Sequence, residues 1–293
     1  MAITATQVNE LRQRTGSGMM ECKKALQAAD GDIEKAIEAM RIAGQAKADK
    51  KADRTAAEGI IILKHNAHAG IMIEINSETD FVSRDTNFKE FAEAVAHAAL
   101  HAKTQDVAEL AALTLADGTT VEVARKSLIA KLGENINIRR LVYVPISEGV
   151  LGTYVHGGRI GVIVHIKGEG DVQLAKDLAM HIAANNPLVI APNDLPQELI
   201  EKERDIYTAQ AQESGKPAEI VDKMIKSRLS KYLDEVSLLG QSFVKDPSVK
   251  VENLLKTSKT EIVSFTRYAV GEGIEKKVGN FAEEVRAQVE GAA

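Results

Sequence analysis

The chain has 293 residues, 44% of them hydrophobic and 27% charged, which suggests two domains, or one with appendages, and enough apolar material for a core. Aromatics are only 4% and Trp is absent, so that core must be aliphatic and alanine-rich; a net charge of −5 excludes a general attraction to nucleic acid or to anionic membranes. The single cysteine, Cys22, excludes an intrachain disulfide, no apolar run reaches the ~18 residues of a membrane span, and the N-terminus lacks signal-peptide character, so the mature protein is expected to start here, in a reducing cytoplasm.

Residues 1–42 read as three short helices. Thr4 and Gln7 have the spacing of a capping box ahead of Val8 and Leu11, and Gly16 stops that helix. Gly18-Met19-Met20 opens a second, with Cys22, Ala25, Leu26 and Ala29 at helical spacing. Gly31 ends it, and Asp32 caps a third that carries Ile33, Ala36, Ile37 and Met40. About 40 residues is near the lower limit for independent folding, so a compact three-helix module is expected. Residues 43–57 are Ala-rich and charged, show no apolar stripe, and read as a solvated linker that can be part helical.

The middle of the chain repeats itself. The first copy runs through Glu58–Ile62, a turn at Asn66–Gly70, a return strand Ile71–Ile75, helices around Phe88–His101 and Val121–Leu132, and a closing strand Ile136–Val144. The second copy runs through Glu148–Leu151, a turn at His156-Gly157-Gly158, a return strand Ile160–Val164, a helix around Val172–Ala184, and a closing strand Glu261–Val270. Hairpin, helices, strand is the order of a three-stranded antiparallel sheet with helices on one face, so the fold class is α+β with a duplicated core. Where the first return strand leaves its sheet stand Thr79-Asp80-Phe81-Val82. A carboxylate and an aromatic ring lie side by side there, at a corner that can project a wedge into a partner.

The second copy holds an insertion at about residues 196–236. Leu199 and Ile206, and likewise Ile200 and Tyr207, recur every seven residues; Val221, Met224, Ile225, Arg228, Leu229 and Tyr232 mark a second amphipathic helix. Ser214-Gly215-Lys216-Pro217 between them suits a helix stop followed by Pro in the next first turn. An antiparallel helical hairpin about 25 Å long follows, its narrow apolar stripes facing each other. Phe281–Val289 reads as a last short helix after the turn Gly271-Glu272-Gly273.

Bond-making chemistry finds no support. Gly215-Lys216 is followed by Pro217, and Gly16-Ser17-Gly18 lacks a third glycine and follows a helix, so neither is a phosphate loop or dinucleotide fingerprint. His97 and His101 are four apart on a helix but lack the intervening Glu and the third ligand of a zinc site; His65 and His68 lie in a hairpin turn. Cys22 has the spacing of a small buried thiol. No catalytic residue, metal or cofactor is expected.

Four signatures occur in order: Leu11-Arg12-Gln13-Arg14-Thr15-Gly16-Ser17-Gly18-Met19-Met20-Glu21-Cys22-Lys23-Lys24-Ala25-Leu26, Thr79-Asp80-Phe81-Val82, Gly133-Glu134-Asn135-Ile136-Asn137-Ile138-Arg139-Arg140, and His156-Gly157-Gly158-Arg159-Ile160-Gly161. Around a duplicated core with a helical insertion, this set resembles the bacterial elongation factor Ts family, the guanine-nucleotide exchange factors of the translation GTPase elongation factor Tu. The resemblance covers essentially the whole chain. It departs before the Val121–Leu132 helix, where the family pattern has a shorter connection, so Leu113–Thr120 reads as a peripheral extra loop.

The resemblance implies a ubiquitin-associated (UBA-like) N-terminal domain with linker over 1–55, core subdomains over 56–147 and 148–272, a coiled-coil insertion at about 196–236 in the second, and a C-terminal helical module over 273–293. It implies that Thr79, Asp80, Phe81 and Val82 intrude near the partner's nucleotide site and disturb its Mg²⁺, with Phe81 the wedge and Asp80 the group that rearranges local charge. His156, with Gly157 beside it, matches a contact to the same GTP-binding domain; Arg12, Met19 and Met20 match an N-terminal contact surface; the C-terminal helix resembles a second grip. The implied partner is elongation factor Tu in the cytoplasm, without nucleic acid or membrane, and family members that dimerise leave open a dimer of heterodimers. Plainer readings stand beside these. Phe81 can be a core aromatic at a strand end, and Asp80 a cap of the following helix. Met19 and Met20 can be module core, although adjacent helical positions cannot both face inward, and Arg12 can be a solvated side chain. Rival functions are a binding adaptor without exchange activity and a metal-dependent enzyme built on His97 and His101.

Overall fold

The computed structural model of the chain describes residues 3–212 and 217–275. It begins with α1 (Ala5–Thr15), α2 (Met19–Ala28) and α3 (Ile33–Asp49). The Thr4 hydroxyl accepts the Gln7 N–H at 3.2 Å while the Gln7 side chain accepts the Thr4 N–H at 3.0 Å, so the capping box forms as its spacing predicts. Gly16 ends α1 in the left-handed conformation at φ +66°, and Asp32 caps α3 through the Lys35 N–H. Val8, Leu11, Cys22, Leu26 and Ala36 share a small core.

The first copy of the repeat follows as β1 (Glu58–His65), β2 (Ala69–Ser77), α4 (Asp80–Arg84), α5 (Thr86–Ala102), α6 (Val107–Ala112), α7 (Val121–Leu132) and β3 (Ile136–Pro145). The second is β4 (Val150–His156), β5 (Ile160–Gly168), α8 (Val172–Asn185), the inserted helices α9 (Gln197–Gln212) and α10 (Ala218–Val236), the short strands β6 (Ser242–Phe243) and β7 (Asp246–Lys250), α11 (Val251–Thr257) and β8 (Thr260–Ala269). The strands join in the orders β1-β2-β3 and β4-β5-β8, the duplicated three-stranded arrangement that the repeat predicts.

The stretch read as a solvated linker is one only in its second half, where residues 50–56 lie outside any helix and are exposed or half-buried. α3 runs through the first half to Asp49 and packs against α7, with Gly44 and Ala48 buried in the contact. A Cβ on Gly44 would stand 3.1 Å from the Ala130 side chain, and Asp49 pairs with Lys126 of α7 at 2.8 Å. A stripe made of glycine and alanine lets two helices approach closely, yet it carries too little apolar area to register as a stripe in the sequence.

The described residues divide into two units, one from 3–60, 73–141 and 270–275, the other from 61–72 and 142–269. In the first, α5 buries Phe88, Phe91, Ala92, Val95, Ala96 and Ala99, the repeat of a helix with one apolar face. In the second, Val162, Val164 and Ile166 of β5 pack against Ala175, Leu178, Ala179 and Ile182 of α8. Here α8 lies so close to β4 that a Cβ on Gly152 would fall 2.0 Å from the Ala175 carbonyl oxygen, which is why that position has no side chain. β2 is buried along its whole length instead of presenting one wet face, and Glu74 is buried with it.

No residue of α10 is buried, and Leu199, Ile206 and Ile220 remain 40–46% exposed, as expected of two helices packed mainly on each other. Arg228 lies over the Tyr207 ring at 5.9 Å, and a hydrogen bond to Glu203 pushes the Tyr207 hydroxyl up to about 12. Pro217 occupies the N-cap of α10 rather than its first turn; Ser214–Lys216 and the helix expected at Phe281–Val289 lie outside the described residues. Among the described residues no helix is long and apolar enough to cross a membrane.

His181 ties the return from the insertion to α8. Its Nδ1 accepts the Val244 N–H at 3.1 Å, which leaves Nε2 to donate to the Gln241 side chain at 2.9 Å. Burial pushes its pKa down, with neutral Gln241 and Asn185 as polar neighbours. The unfolded chain therefore takes up this proton more readily than the folded one. The stabilising contribution is complete above the ordinary histidine value of about 6.5 and is lost as pH falls from there through the lowered value of the folded state. Thermal melts of the wild type should fall in midpoint between pH 7.5 and pH 5.5 more than those of His181→Gln; equal slopes would remove His181 from the account.

Candidate partner-contact site

Ser77 closes β2, and its hydroxyl donates to the Thr79 carbonyl at 2.8 Å. Thr79 then runs extended, at φ −121° and ψ 160°, into the five-residue helix α4. Its backbone N–H and its hydroxyl both donate to the Glu134 carboxylate, at 2.9 and 2.6 Å. The neighbouring residues answer in reverse: the Asn135 N–H donates to the Glu78 carboxylate at 2.6 Å. Asn135 in turn donates through its side chain to the carbonyls of Ala52 and Arg54, at 3.1 and 2.8 Å, and Arg54 sits 3.6 Å from Glu78. The segment after α7 thus clamps the segment after β2. Gly133 makes the clamp geometrically accessible by ending α7 in the left-handed conformation, φ +83°, immediately before Glu134.

Beyond the clamp, Val82 and Ser83 turn inward and Phe81 turns outward. Asp85 caps α5 by accepting the N–H groups of Asn87 and Phe88, and the Asn87 side-chain hydrogen bond leads the interactions that hold its pKa below the usual carboxylate range. Phe88 is wholly buried just after it. The corner is therefore fixed on both sides of the one ring it leaves in solvent: Phe81 is 79% exposed, the most exposed large hydrophobic side chain among the described residues. Neither plainer reading of this motif holds. Phe81 is not a core residue, and Asp80 does not cap α5; it opens α4 and pairs with Arg84 at 2.8 Å. That pair is exposed on both sides, so its net worth is no more than about 1 kcal/mol and a stronger partner can displace it.

Met19 and Met20 are 54% and 64% exposed in the first turn of α2, and Arg12 is exposed in the last turn of α1, on the other side of the Gly16–Gly18 corner. Cys22, one turn further, is fully buried, as its spacing predicts. Exposed methionines offer an adaptable apolar contact. In the second unit, His156 ends β4 with its Nδ1 3.1 Å from the Tyr154 hydroxyl. Gly157 and Gly158 follow at φ +57° and +72°, and the Arg159 N–H closes the turn on the His156 carbonyl at 2.9 Å. His156 and Gly157 are both exposed, at the tip of the β4–β5 hairpin.

The role of Glu134 is not evident from its place in the third signature; a helix-stopping glycine followed by an acid and an amide is the signal that points to it. His97 and His101 are exposed on α5, and among the described residues no three His, Cys, Asp or Glu side chains gather as metal ligands. The extra loop forms a small excursion, bridged from Thr114 to Thr120 and turned at Asp117, with Leu115 tucked in.

The family described as Elongation factor TS matches residues 78–272. A protein named Elongation factor Ts from Legionella pneumophila (strain Paris) is 59% identical over 289 residues, covering 98% of each chain. The protein of that name from Francisella tularensis subsp. novicida is 57% identical over 289 residues, covering 99% of each, and that from Alcanivorax borkumensis is 56% identical over 286 residues, covering 97% of this chain and all of the relative.

Proposed function

The chain belongs to the elongation factor Ts family, and from that membership we propose that it acts as a guanine-nucleotide exchange factor, binding elongation factor Tu so that GDP and Mg²⁺ are held weakly. It is a translation elongation factor. The observation that carries the exchange reading is the bare ring of Phe81 on a corner braced by Glu134 and Asp85. An apolar ring held out in water on a fixed backbone loses little entropy on docking and gains its full burial there. Asp80 beside it exchanges Arg84 for groups near the Mg²⁺ site. Arg12, Met19 and Met20, the hairpin tip at His156 and Gly157, and the C-terminal module add further grips.

Magnitudes explain why several grips are needed. Weakening nucleotide binding 10⁴-fold takes about 5.5 kcal/mol of differential binding. One buried phenylalanine supplies about 1.5–3 kcal/mol. By linkage, whatever the factor takes from nucleotide affinity, nucleotide takes from the factor's affinity, so incoming GTP releases it. No covalent step is involved, and the setting is the cytoplasm, without nucleic acid or membrane. The complex is a heterodimer or a dimer of heterodimers.

Stopped-flow release of a fluorescent GDP analogue from purified elongation factor Tu tests the proposal. Release should accelerate with added protein and saturate. Saturable binding without acceleration would replace exchange by the adaptor reading.

A further inference from the structure

Both contact segments of the first unit are fastened to α7. At its end, Glu134 clamps Thr79 and with it the corner that bears Phe81. Along its length, α7 carries the N-terminal module. Lys126 pairs with Asp49 at 2.8 Å, the Ala130 side chain faces the bare backbone of Gly44, and the Gly133 carbonyl accepts a hydrogen bond from the Lys51 ammonium. Lys126, Ala130 and Gly133 stand four and then three residues apart, so one face of α7 and its cap makes all three contacts. The seam continues past the helix through Asn135. Its side chain holds the Ala52 and Arg54 carbonyls, while its N–H holds Glu78, the residue before Thr79.

α3 leaves no hinge on the other side of the seam. It is a single helix from Ile33 to Asp49, with Ala36 in the module's core near its start and Gly44 and Ala48 in the seam near its end. A rod of 17 helical residues, about 25 Å long, makes the module move with the seam. Gly44 is the informative residue. Glycine weakens a helix interior relative to alanine, yet it stands here where any Cβ would press on Ala130. A flexible tether has no use for such a fit. The Gly16 corner gives a second close approach: a Cβ there would stand 2.8 Å from Lys131 Nζ, and that ammonium donates to the Asn87 side chain at 2.5 Å. Asn87 is bonded to Asp85, whose own N–H donates to the Val82 carbonyl at 3.0 Å, in the helix of Phe81. Two routes thus join the segment bearing Arg12, Met19 and Met20 to the segment bearing Phe81, and both pass through α7.

We propose that Gly44 is a positioning residue: the seam it closes between α3 and α7 fixes the surface of Arg12, Met19 and Met20 at one spacing from the Phe81 corner, so that the two meet one partner as a single preformed surface. The consequence rests on the exchange reading; the geometry does not. With the seam closed, neither grip has to search for its site after the other has docked, and the ordering cost of the second contact is already met in the free protein. With the seam open, the Phe81 corner still works once the complex forms, but the module docks as a separate event and the complex is weaker.

Variants of the full chain that open and lock the seam test it. Gly44→Leu keeps a good helix former in α3 but places a side chain where the seam has no room. Its half-saturating concentration in GDP release should rise about tenfold while the maximal rate is kept. Where that variant does not fold, Lys126→Glu, which sets like charges against Asp49 across the same seam, takes its place, with a rise of about threefold expected. Gly44→Cys combined with Ala130→Cys locks the seam, since a Cβ on Gly44 would stand 3.1 Å from the Ala130 side chain, near the separation of about 3.8 Å between the Cβ atoms of a disulfide. Oxidised, this variant should stay within about twofold of its reduced form in both half-saturation and maximal rate. Three results would each overturn the proposal: cysteines that do not pair, exchange that is lost on oxidation and returns on reduction, or unchanged half-saturation in the opened variant. The same rise should appear in the Kd for nucleotide-free elongation factor Tu, measured by calorimetry without any exchange step. Wild type that binds there but does not accelerate release sinks the exchange reading and leaves the seam to be judged by that Kd; wild type that does not bind sinks both.

Discussion

Phe81→Ala should lower the maximal rate of stimulated GDP release by about 10- to 100-fold, the equivalent of the 1.5–3 kcal/mol carried by one buried phenylalanine. The melting temperature should not move, because a ring that is 79% exposed contributes almost nothing to the protein's own core. The two readouts separate the ring's role from a structural one. A core aromatic loses stability and activity together, whereas a wedge loses activity alone. Val82→Ala is the internal contrast: Val82 is buried beside Phe81, so that substitution should lower stability first. Wild-type release rates from Phe81→Ala would show that the exposed ring has no part in exchange.

The second large effect is expected at Glu134, which touches no partner in this account. Glu134→Ala removes the acceptor of both the Thr79 N–H and the Thr79 hydroxyl. The corner then loses its brace on one side, and a displacement of about 1 Å at a working group costs on the order of 100-fold. Stimulated release should fall about 10- to 100-fold in maximal rate. Glu134→Gln keeps one acceptor oxygen but turns an amide N–H₂ toward a donor, so it should recover only part of the loss. Combined with Phe81→Ala, the Glu134→Ala loss should be strongly less than additive, since a misplaced ring and a missing ring fail in the same way. Full additivity in that cycle would mean that Glu134 does not act through the corner.

Much of this molecule is legible in its sequence because its longer elements obey strong local rules. The Thr4–Gln7 capping box, the glycine stop at Gly16, and the apolar period of α5 each appear in the structure where residue spacing places them. The repeat of hairpin, helices and strand emerges as two three-stranded sheets, in each of which the hairpin pairs its own two strands and the closing strand joins the return strand. Other features are beyond periodicity. β6, β7 and α11 span two, five and seven residues, too short to show a period. The extension of α3 is invisible because Gly44 and Ala48 work by being small. Glu74 looks like the wet member of an alternating strand until β2 proves buried on both faces. The candidate site divides in the same way. Its residues stand out as a motif, but the brace on its backbone is supplied by Glu134, 55 positions from Thr79 and joined to it only by the fold.

The central claim is that Phe81 enters the partner when nucleotide leaves. Fluorine NMR of the full chain carrying 4-fluorophenylalanine at position 81 alone tests this most directly. On addition of nucleotide-free elongation factor Tu, the resonance should move and become protected from a soluble paramagnetic probe. On addition of GDP with Mg²⁺, it should return to its free position. A resonance that keeps its free shift and its full exposure in the saturated complex would contradict the account.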